Sequence, residues 1–282
     1  MQLAGEAIPP IGFGGMPLSI QGRPSEEQGR QVLNAAIDAG MTFIDTADVY
    51  CLDDRDIGHN ERLIASLNRN DIKVATKAGL RRPGGAWTND ASPQHIREAC
   101  ERSLRALNTD RIWLYQLHAP DPKVAFEKSV EAFAELQREG KFEHFGLSNV
   151  SVKQLEQARA ILPVVSVQNR LNPYFRESIN VAKACAERDI VFLAYSPVGG
   201  GRLAKKLPQF DVLIDLARKH DRSVHAITIA WVRAQSTTVV PIPAARTVEH
   251  ALDSAKAADL VLDEEDLQMI DDAEFDRAQV SS

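Results

Sequence analysis

An α/β fold, a single (β/α)8 barrel over residues 1–282, is predicted by three features of the sequence. From about residue 24, short β-branched or aliphatic runs alternate with amphipathic helical segments. The runs recur at roughly 35-residue spacing, which suits a βα repeat. Polar side chains suited to chemistry cluster where the runs end. No Ser/Gly/Pro-rich linker or charge block interrupts the alternation, so one continuous domain is expected.

Taken in order, the expected strands are Ile11–Gly14, Thr42–Asp45, Ile72–Thr76, Ile112–Leu117, Phe142–Leu147, Val164–Gln168, Ile190–Ala194 and Thr238–Val240, each followed by a helical pattern. Helix starts carry their own punctuation. Ser25 with Gln28 and Ser151 with Gln154 read as capping boxes, and Ser92-Pro93 and Asp121-Pro122 place proline at a first helical position. The third helix has Ile96, Cys100, Leu104 and Leu107 on one stripe, and the fifth has Val152, Leu155, Ala158 and Leu162. Strands such as Ile190–Ala194 are continuous apolar runs, as expected of a parallel sheet covered on both faces. An open doubly wound sheet would meet these constraints too. The barrel is preferred because Asp45, Lys77, His118, Ser148, Asn149, Gln168, Tyr195 and Ser196 all end strands. A barrel turns those positions to one mouth, whereas an open sheet scatters them about a switch point.

Composition removes several function classes. The chain is 44% hydrophobic and 26% charged with a net charge of −6, and its Lys/Arg runs do not exceed pairs such as Arg81-Arg82, so a nucleic-acid partner is not expected. Neither a signal-like N-terminus nor an apolar stretch of about 18 residues is present, so no membrane association is expected. Cys51, Cys100 and Cys185 are too few and too dispersed for a disulfide framework, which fits a cytoplasmic location.

Two dinucleotide signatures fail. Gly12-Phe13-Gly14-Gly15 reaches Pro17 at the sixth position of a GxGxxG pattern, and no helix opens there. The residues four after Tyr50, Tyr115, Tyr174 and Tyr195 are Asp54, Ala119, Ser178 and Gly199, so no Tyr/Lys pair of the short-chain dehydrogenase kind exists. The cluster Asp53, Asp54, Asp56, His59 and Glu61 lacks a recurring metal-ligand spacing, and no metal is expected.

Five segments in order, Phe43-Ile44-Asp45-Thr46-Ala47-Asp48-Val49-Tyr50, Gly58-His59-Asn60-Glu61, Ala75-Thr76-Lys77, Gln116-Leu117-His118 and Gly146-Leu147-Ser148-Asn149, together resemble the aldo-keto reductase family. The resemblance runs from about Ile11 to Met269. It implies an NADPH-dependent reduction of an aldehyde or ketone by a tetrad of Asp45, Tyr50, Lys77 and His118. Tyr50 is the expected general acid, with Lys77 drawing its pKa down, Asp45 holding Lys77 charged, and His118 polarising the carbonyl oxygen. The resemblance further implies that Ser148, Asn149 and Gln168 bind the nicotinamide carboxamide and that Tyr195 stacks on its ring. Ser196-Pro197-Val198-Gly199-Gly200-Gly201-Arg202 would form the pyrophosphate loop, with Ser196, Val198 and Gly201 in contact.

The family pattern is not followed throughout. Ala244, His250 and Ser254 stand where many relatives have Lys or Gly, Arg and Asn, which leaves Arg246 as the main expected anchor for a 2′-phosphate. NADPH is nevertheless expected over NADH, with Ser254 still counted among the cofactor contacts. Cys51 replaces the usual Gly after the tyrosine and is expected to be packed and inert. Met16 and Trp87, the latter in a long loop from Ala78 to Ala91, are expected to wall the substrate pocket. A small-molecule carbonyl substrate and a monomer are implied. The runner-up reading is a nicotinamide-sensing module with little turnover, and a third is a metal-dependent barrel hydrolase.

Overall fold

The computed structural model describes residues 1–276. Eight parallel strands run β1 (Phe13–Gly14), β2 (Phe43–Asp45), β3 (Lys73–Ala78), β4 (Ile112–Leu117), β5 (Phe142–Ser148), β6 (Ser166–Arg170), β7 (Val191–Tyr195) and β8 (Val239–Ile242), paired in sequence order. Backbone bonds from Gly12 N to Pro241 O (2.9 Å) and Gly14 N to Pro243 O (2.8 Å) join β1 to the β8 end. The barrel is thereby drawn shut along its shortest strand. That seam needs glycine, because a Cβ on Gly12 would lie 2.6 Å from the Phe43 ring.

The apolar runs are sorted by strand alternation. Val191 and Leu193 of β7, Val240 and Ile242 of β8, Phe43, Ala75 and Leu114 pack together inside the barrel, while Phe192, Ala194 and Val239 pack outward with the helices. A run that looks uniform thus feeds two cores. Residues absent from the expected strand list close the base: an N-terminal hairpin pairs Gln2–Leu3 with Glu6–Ala7, and Leu3 and Ile8 join the interior cluster.

Around the sheet lie α1 (Glu26–Asp38), α2 (His59–Ala65), α3 (Pro93–Leu107), α4 (Phe126–Arg138), α5 (Val152–Arg159), α6 (Ile179–Ala186), α7 (Gly200–Ala204), α8 (Asp211–His220), α9 (Val224–Ala234), α10 (Val248–Ala255) and α11 (Glu264–Asp272). Both expected capping boxes form, at Ser25/Gln28 and Ser151/Gln154, and Ser92 caps α3 ahead of Pro93. Asp121-Pro122 does not start a helix. Asp121 Oδ1 accepts from Lys123 N and its backbone carbonyl from Val124 N, which makes a turn, and α4 begins only at Phe126. The loop from Ala78 to Ala91 also has more order than its glycines suggest. Leu80–Arg81 pairs antiparallel with Thr88–Asn89 around a turn at Pro83–Gly85.

Candidate active site

Asp45 ends β2, Lys77 lies near the end of β3, and His118 directly follows β4, so three neighbouring strands deliver them to one mouth. Tyr50 arrives on the loop after β2, where a turn from Ala47 O to Tyr50 N (3.1 Å) folds it back against Ala47, Val49 and Leu80. The Lys77 ammonium is fully buried, and all three of its donors are used: Asp45 Oδ2 at 2.7 Å, the Thr46 carbonyl at 2.8 Å and Tyr50 Oη at 3.1 Å. Because the phenol oxygen accepts from Lys77, its own proton is free to be donated elsewhere. The His118 ring stands edge-on to the Tyr50 ring, with centroids 5.8 Å apart. The tetrad expected from the sequence is therefore assembled in space.

Its electrostatics differ from expectation in one respect. The Tyr50 phenol is not brought down on balance: burial, and then the Asp45 carboxylate, hold it well above its ordinary range despite the neighbouring Lys77. Burial also lowers Lys77, which Asp45 opposes. Burial first, and Lys77 second, keep His118 well below the usual imidazole range, so it is a neutral ring. Among the described residues the buried His118 Nδ1 has no hydrogen-bond partner.

A second group continues the network around the mouth. Gln168 Nε2 donates to Asp45 Oδ1 at 2.7 Å, so Gln168 buttresses the tetrad with the amide hydrogens expected for a carboxamide ligand. Ser148 Oγ donates to Gln168 O at 2.8 Å, Asn149 Nδ2 to His118 O at 2.9 Å, and Tyr195 Oη to Asn149 Oδ1 at 2.9 Å. Asn149 holds a left-handed backbone (φ 58°), which its short amide side chain tolerates better than most. The Tyr195 ring is half-buried at the rim.

Beyond it, Ser196 adopts φ 50° and its carbonyl accepts from Asn172 Nδ2 and Gly199 N. A Cβ on Gly200 or Gly201 would meet nothing within 4 Å, so the backbone there borders open space, beside the half-buried Val198. This glycine cradle, the neutral amides of Asn149 and Gln168, and the rim tyrosine fit a dinucleotide in donor set and in space. Arg246 is less free than expected. Its Nη2 donates to Gln21 O at 2.8 Å and its Nε to Pro17 O at 3.2 Å, clasping the β1 and β8 loops. Ser254 lies half-buried on α10. Met16 packs on the Tyr50 cluster, and the Trp87 ring is edge-on to Tyr50 at 6.4 Å, so both expected wall residues border the phenol.

Several supporting residues carried no role in the sequence reading. Fully buried Asn60 accepts from Thr46 Oγ1 (2.6 Å) and donates to Gly15 O (2.9 Å) and Ser19 Oγ (2.7 Å), locking the β1 loop to the residue beside Asp45. A Cβ on Gly15 would lie 2.4 Å from Asn60 Oδ1. Glu61 Oε1 accepts from Thr76 Oγ1 at 2.6 Å, next to Lys77 on β3. The available signal was the segment Gly58-His59-Asn60-Glu61, one of those that carry the family resemblance, whose Asn60 and Glu61 lie in the first turn of the helix that follows the Tyr50 loop. The acidic cluster around it divides among separate partners: Asp53 with Arg55, Asp56 with Arg23, His59 with Ser19. Cys51 is fully buried, its thiol faces Val49 O at 3.3 Å, and burial pushes it up to about 12, so the structure places it in a packed position that disfavours the thiolate.

Comparison with known proteins bears on the fold and the family. The profile of the Aldo/keto reductase family matches residues 10–274. The chain is 31% identical over 303 aligned positions to an aldo-keto reductase of Strobilurus tenacellus, covering 92% of this chain and 87% of that one. It is 29% identical to an aldo-keto reductase of Schizosaccharomyces pombe designated for NADP(+), covering 99% and 92%. A crystal structure of a Klebsiella pneumoniae aldo/keto reductase in complex with NADP and acetate superposes with a TM-score of 0.79 at 28% identity, covering 95% and 92%. The chain belongs to the aldo/keto reductase family of oxidoreductases.

Proposed function

We propose that this protein is an NADPH-dependent carbonyl reductase in which Tyr50 is the general acid. The observation that carries the reading is the Lys77 ammonium, buried and fixed by three acceptors so that the neutral Tyr50 phenol keeps its proton for a ligand. NADPH bound across the mouth would supply hydride to the carbonyl carbon. The chain's task is then the oxygen. Tyr50 Oη donates to it and passes over its proton as charge develops, while Lys77 stabilises the phenolate left behind. Asp45, fixed by Gln168 Nε2, keeps Lys77 charged against its burial. His118, neutral, offers one ring N–H to the same oxygen, which holds the carbonyl in line with Tyr50.

For the cofactor, Asn149, Ser148 and the remaining Gln168 Oε1 would take the carboxamide, and Tyr195 the ring face. Residues Ser196 to Gly201, with Val198, would border the phosphates, and Ser254 the adenosine. Arg246 would meet a 2′-phosphate through Nη1 or in competition with the carbonyls of Pro17 and Gln21. The Klebsiella relative in complex with NADP supports NADPH as the cofactor, and the preference over NADH rests on Arg246.

The test is NADPH and NADH oxidation with a panel of aldehydes and ketones by wild type and Tyr50→Phe. The expected outcome is turnover with NADPH, reduced by about 10² to 10⁴-fold in Tyr50→Phe at unchanged cofactor affinity. Turnover retained by the variant would overturn the assignment of the acid.

A further inference from the structure

Arg82 sits in the hairpin after β3, and its long side chain is among the largest fully buried ones, at 1% exposure. Among the described residues its hydrogen-bond partners are neutral acceptors: Nη2 donates to Gln21 Oε1 (3.1 Å), Cys51 O (3.1 Å) and Leu52 O (3.2 Å). Gln21 Nε2 adds a bond to Leu52 O at 3.1 Å. One guanidinium therefore ties together the loops after β1, β2 and β3. Two of its acceptors belong to the residues that directly follow Tyr50.

The face of the same guanidinium lies 3.9 Å from the centre of the Trp87 ring. Trp87 is 46% exposed near the end of a hairpin, a place where an indole would ordinarily sample several rotamers. Stacking on a fixed cation holds it in one of them, edge-on to Tyr50. Arginine suits this position because one planar group offers a donor edge to carbonyls and a flat face to the ring. Lysine has the charge without the plane.

We propose that Arg82 is the positioning residue of the substrate pocket, holding the Trp87 wall and the Cys51–Leu52 backbone in register with Tyr50. It acts on the carbonyl substrate; it meets the cofactor side only through Gln21, whose side chain it holds, while Arg246 holds the Gln21 backbone carbonyl, which the tested substitutions leave in place. The residue contacts the loops beside Tyr50, whereas the glycine cradle and Tyr195 lie across the mouth on the β7 side. This inference rests on the reductase reading. It implies that substrates with a flat aromatic body, which reach Trp87, depend on Arg82 more than small aliphatic aldehydes do.

The experiment compares wild type, Arg82→Lys, Arg82→Met and Gln21→Ala. Three quantities are read: kcat and KM for 4-nitrobenzaldehyde and for propanal, NADPH affinity by fluorescence titration, and acrylamide quenching of Trp87. The Trp87 signal is isolated as the difference from Trp87→Phe, since Trp231 is fully buried and Trp113 half-buried. Expected for both Arg82 variants is a rise of about tenfold in KM for the aromatic aldehyde and a change under about twofold for propanal. NADPH affinity should hold and quenching of Trp87 should rise.

Unchanged KM and quenching would overturn the proposal, as would a parallel loss of NADPH affinity, which marks general disruption. Should the Arg82 variants fail to fold, Gln21→Ala decides. Its exposed side chain shares the network, so the same shifts at smaller size support the proposal and their absence overturns it. If wild type oxidises no NADPH with any carbonyl, the reductase reading falls. Trp87 quenching still tests whether Arg82 places the ring.

Discussion

Strand β3 carries two lysines four residues apart on its inward face, and each forms an ion pair at one end of the barrel. At the base, Lys73 pairs with Glu6 of the N-terminal hairpin and lies 5.2 Å from the Trp113 ring centre. At the mouth, Lys77 pairs with Asp45 and lies 4.9 Å from that of Tyr50. The chemistry is nearly the same: an ammonium, a carboxylate, an aromatic ring. Solvent is not. The side chains of Lys73 and Glu6 are 39% and 37% exposed, those of Lys77 and Asp45 0% and 4%. At the base, Lys73 simply stabilises the carboxylate, and Glu6 is drawn down to about 2 by its bonds with Lys73, Trp113 and His144. At the mouth, burial works against every charge, so Lys77 is lowered and the Tyr50 phenol raised. An ion pair that ties the hairpin to the barrel floor and one that lies against the Tyr50 phenol differ here by water more than by residue type.

The largest effect that tests this contrast is removal of each lysine. Lys77→Met leaves Asp45 as a buried charge without its partner, an error that costs about 3–5 kcal/mol. It also removes the donor that directs the Tyr50 proton outward, so turnover should fall by at least about 10²-fold. Lys73→Met should cost about 1 kcal/mol or less, as exposed pairs do, and leave kcat within about twofold. Urea unfolding together with NADPH oxidation measures both. Similar losses at the two ends would remove the distinction.

Next in size is the pH profile of reduction. Tyr50 is held well above its ordinary range and His118 well below it, so across about pH 6 to 9 neither changes its protonation state. Reduction should be flat over that window and decline only at higher pH, as the phenol loses the proton it must donate. The reverse direction, alcohol oxidation, needs the phenolate and should rise with pH. A decline in reduction that already sets in near pH 7 would show that Lys77 outweighs burial at Tyr50.

How far the sequence reaches follows the same line between buried and open. Asp45, Lys77 and His118 were legible as polar residues closing apolar runs, whereas the tetrad as a set, with Tyr50 on the loop after β2, was read from the resemblance to the aldo-keto reductase family. Ser25/Gln28 and Ser151/Gln154 were legible because capping is local chemistry. Asp121-Pro122 misled because Asp followed by Pro opens a turn as readily as a helix. The base hairpin escaped notice since its two-residue strands are too short for a period-2 pattern and its turn is Ala4-Gly5. Gln168 was expected at the mouth but not as the partner of Asp45; that bond, and those that place Asn60 and Arg82, span 123, 45 and 61 residues of sequence, which no local pattern encodes.

The smallest effect lies at the base and has a definite sign. Glu6 titrates near 4.5 when free and about 2 in the folded chain, so between those values the unfolded chain binds more protons than the folded one. The stability that Glu6 contributes is fully present above about pH 4.5 and is lost as pH falls toward 2. Glu6→Gln keeps the hydrogen-bonding shape toward Trp113 Nε1, which lies 2.8 Å from Oε1, while removing the charge that Lys73 pairs with. Its cost at pH 7 should be about 1 kcal/mol or less, since both partners are more than a third exposed. That cost should shrink toward zero below about pH 3 in urea titrations, with kcat unchanged at pH 7. An equal cost at both pH values would assign Glu6 to packing of the hairpin against the barrel floor, and the base pair would then owe nothing to its charge.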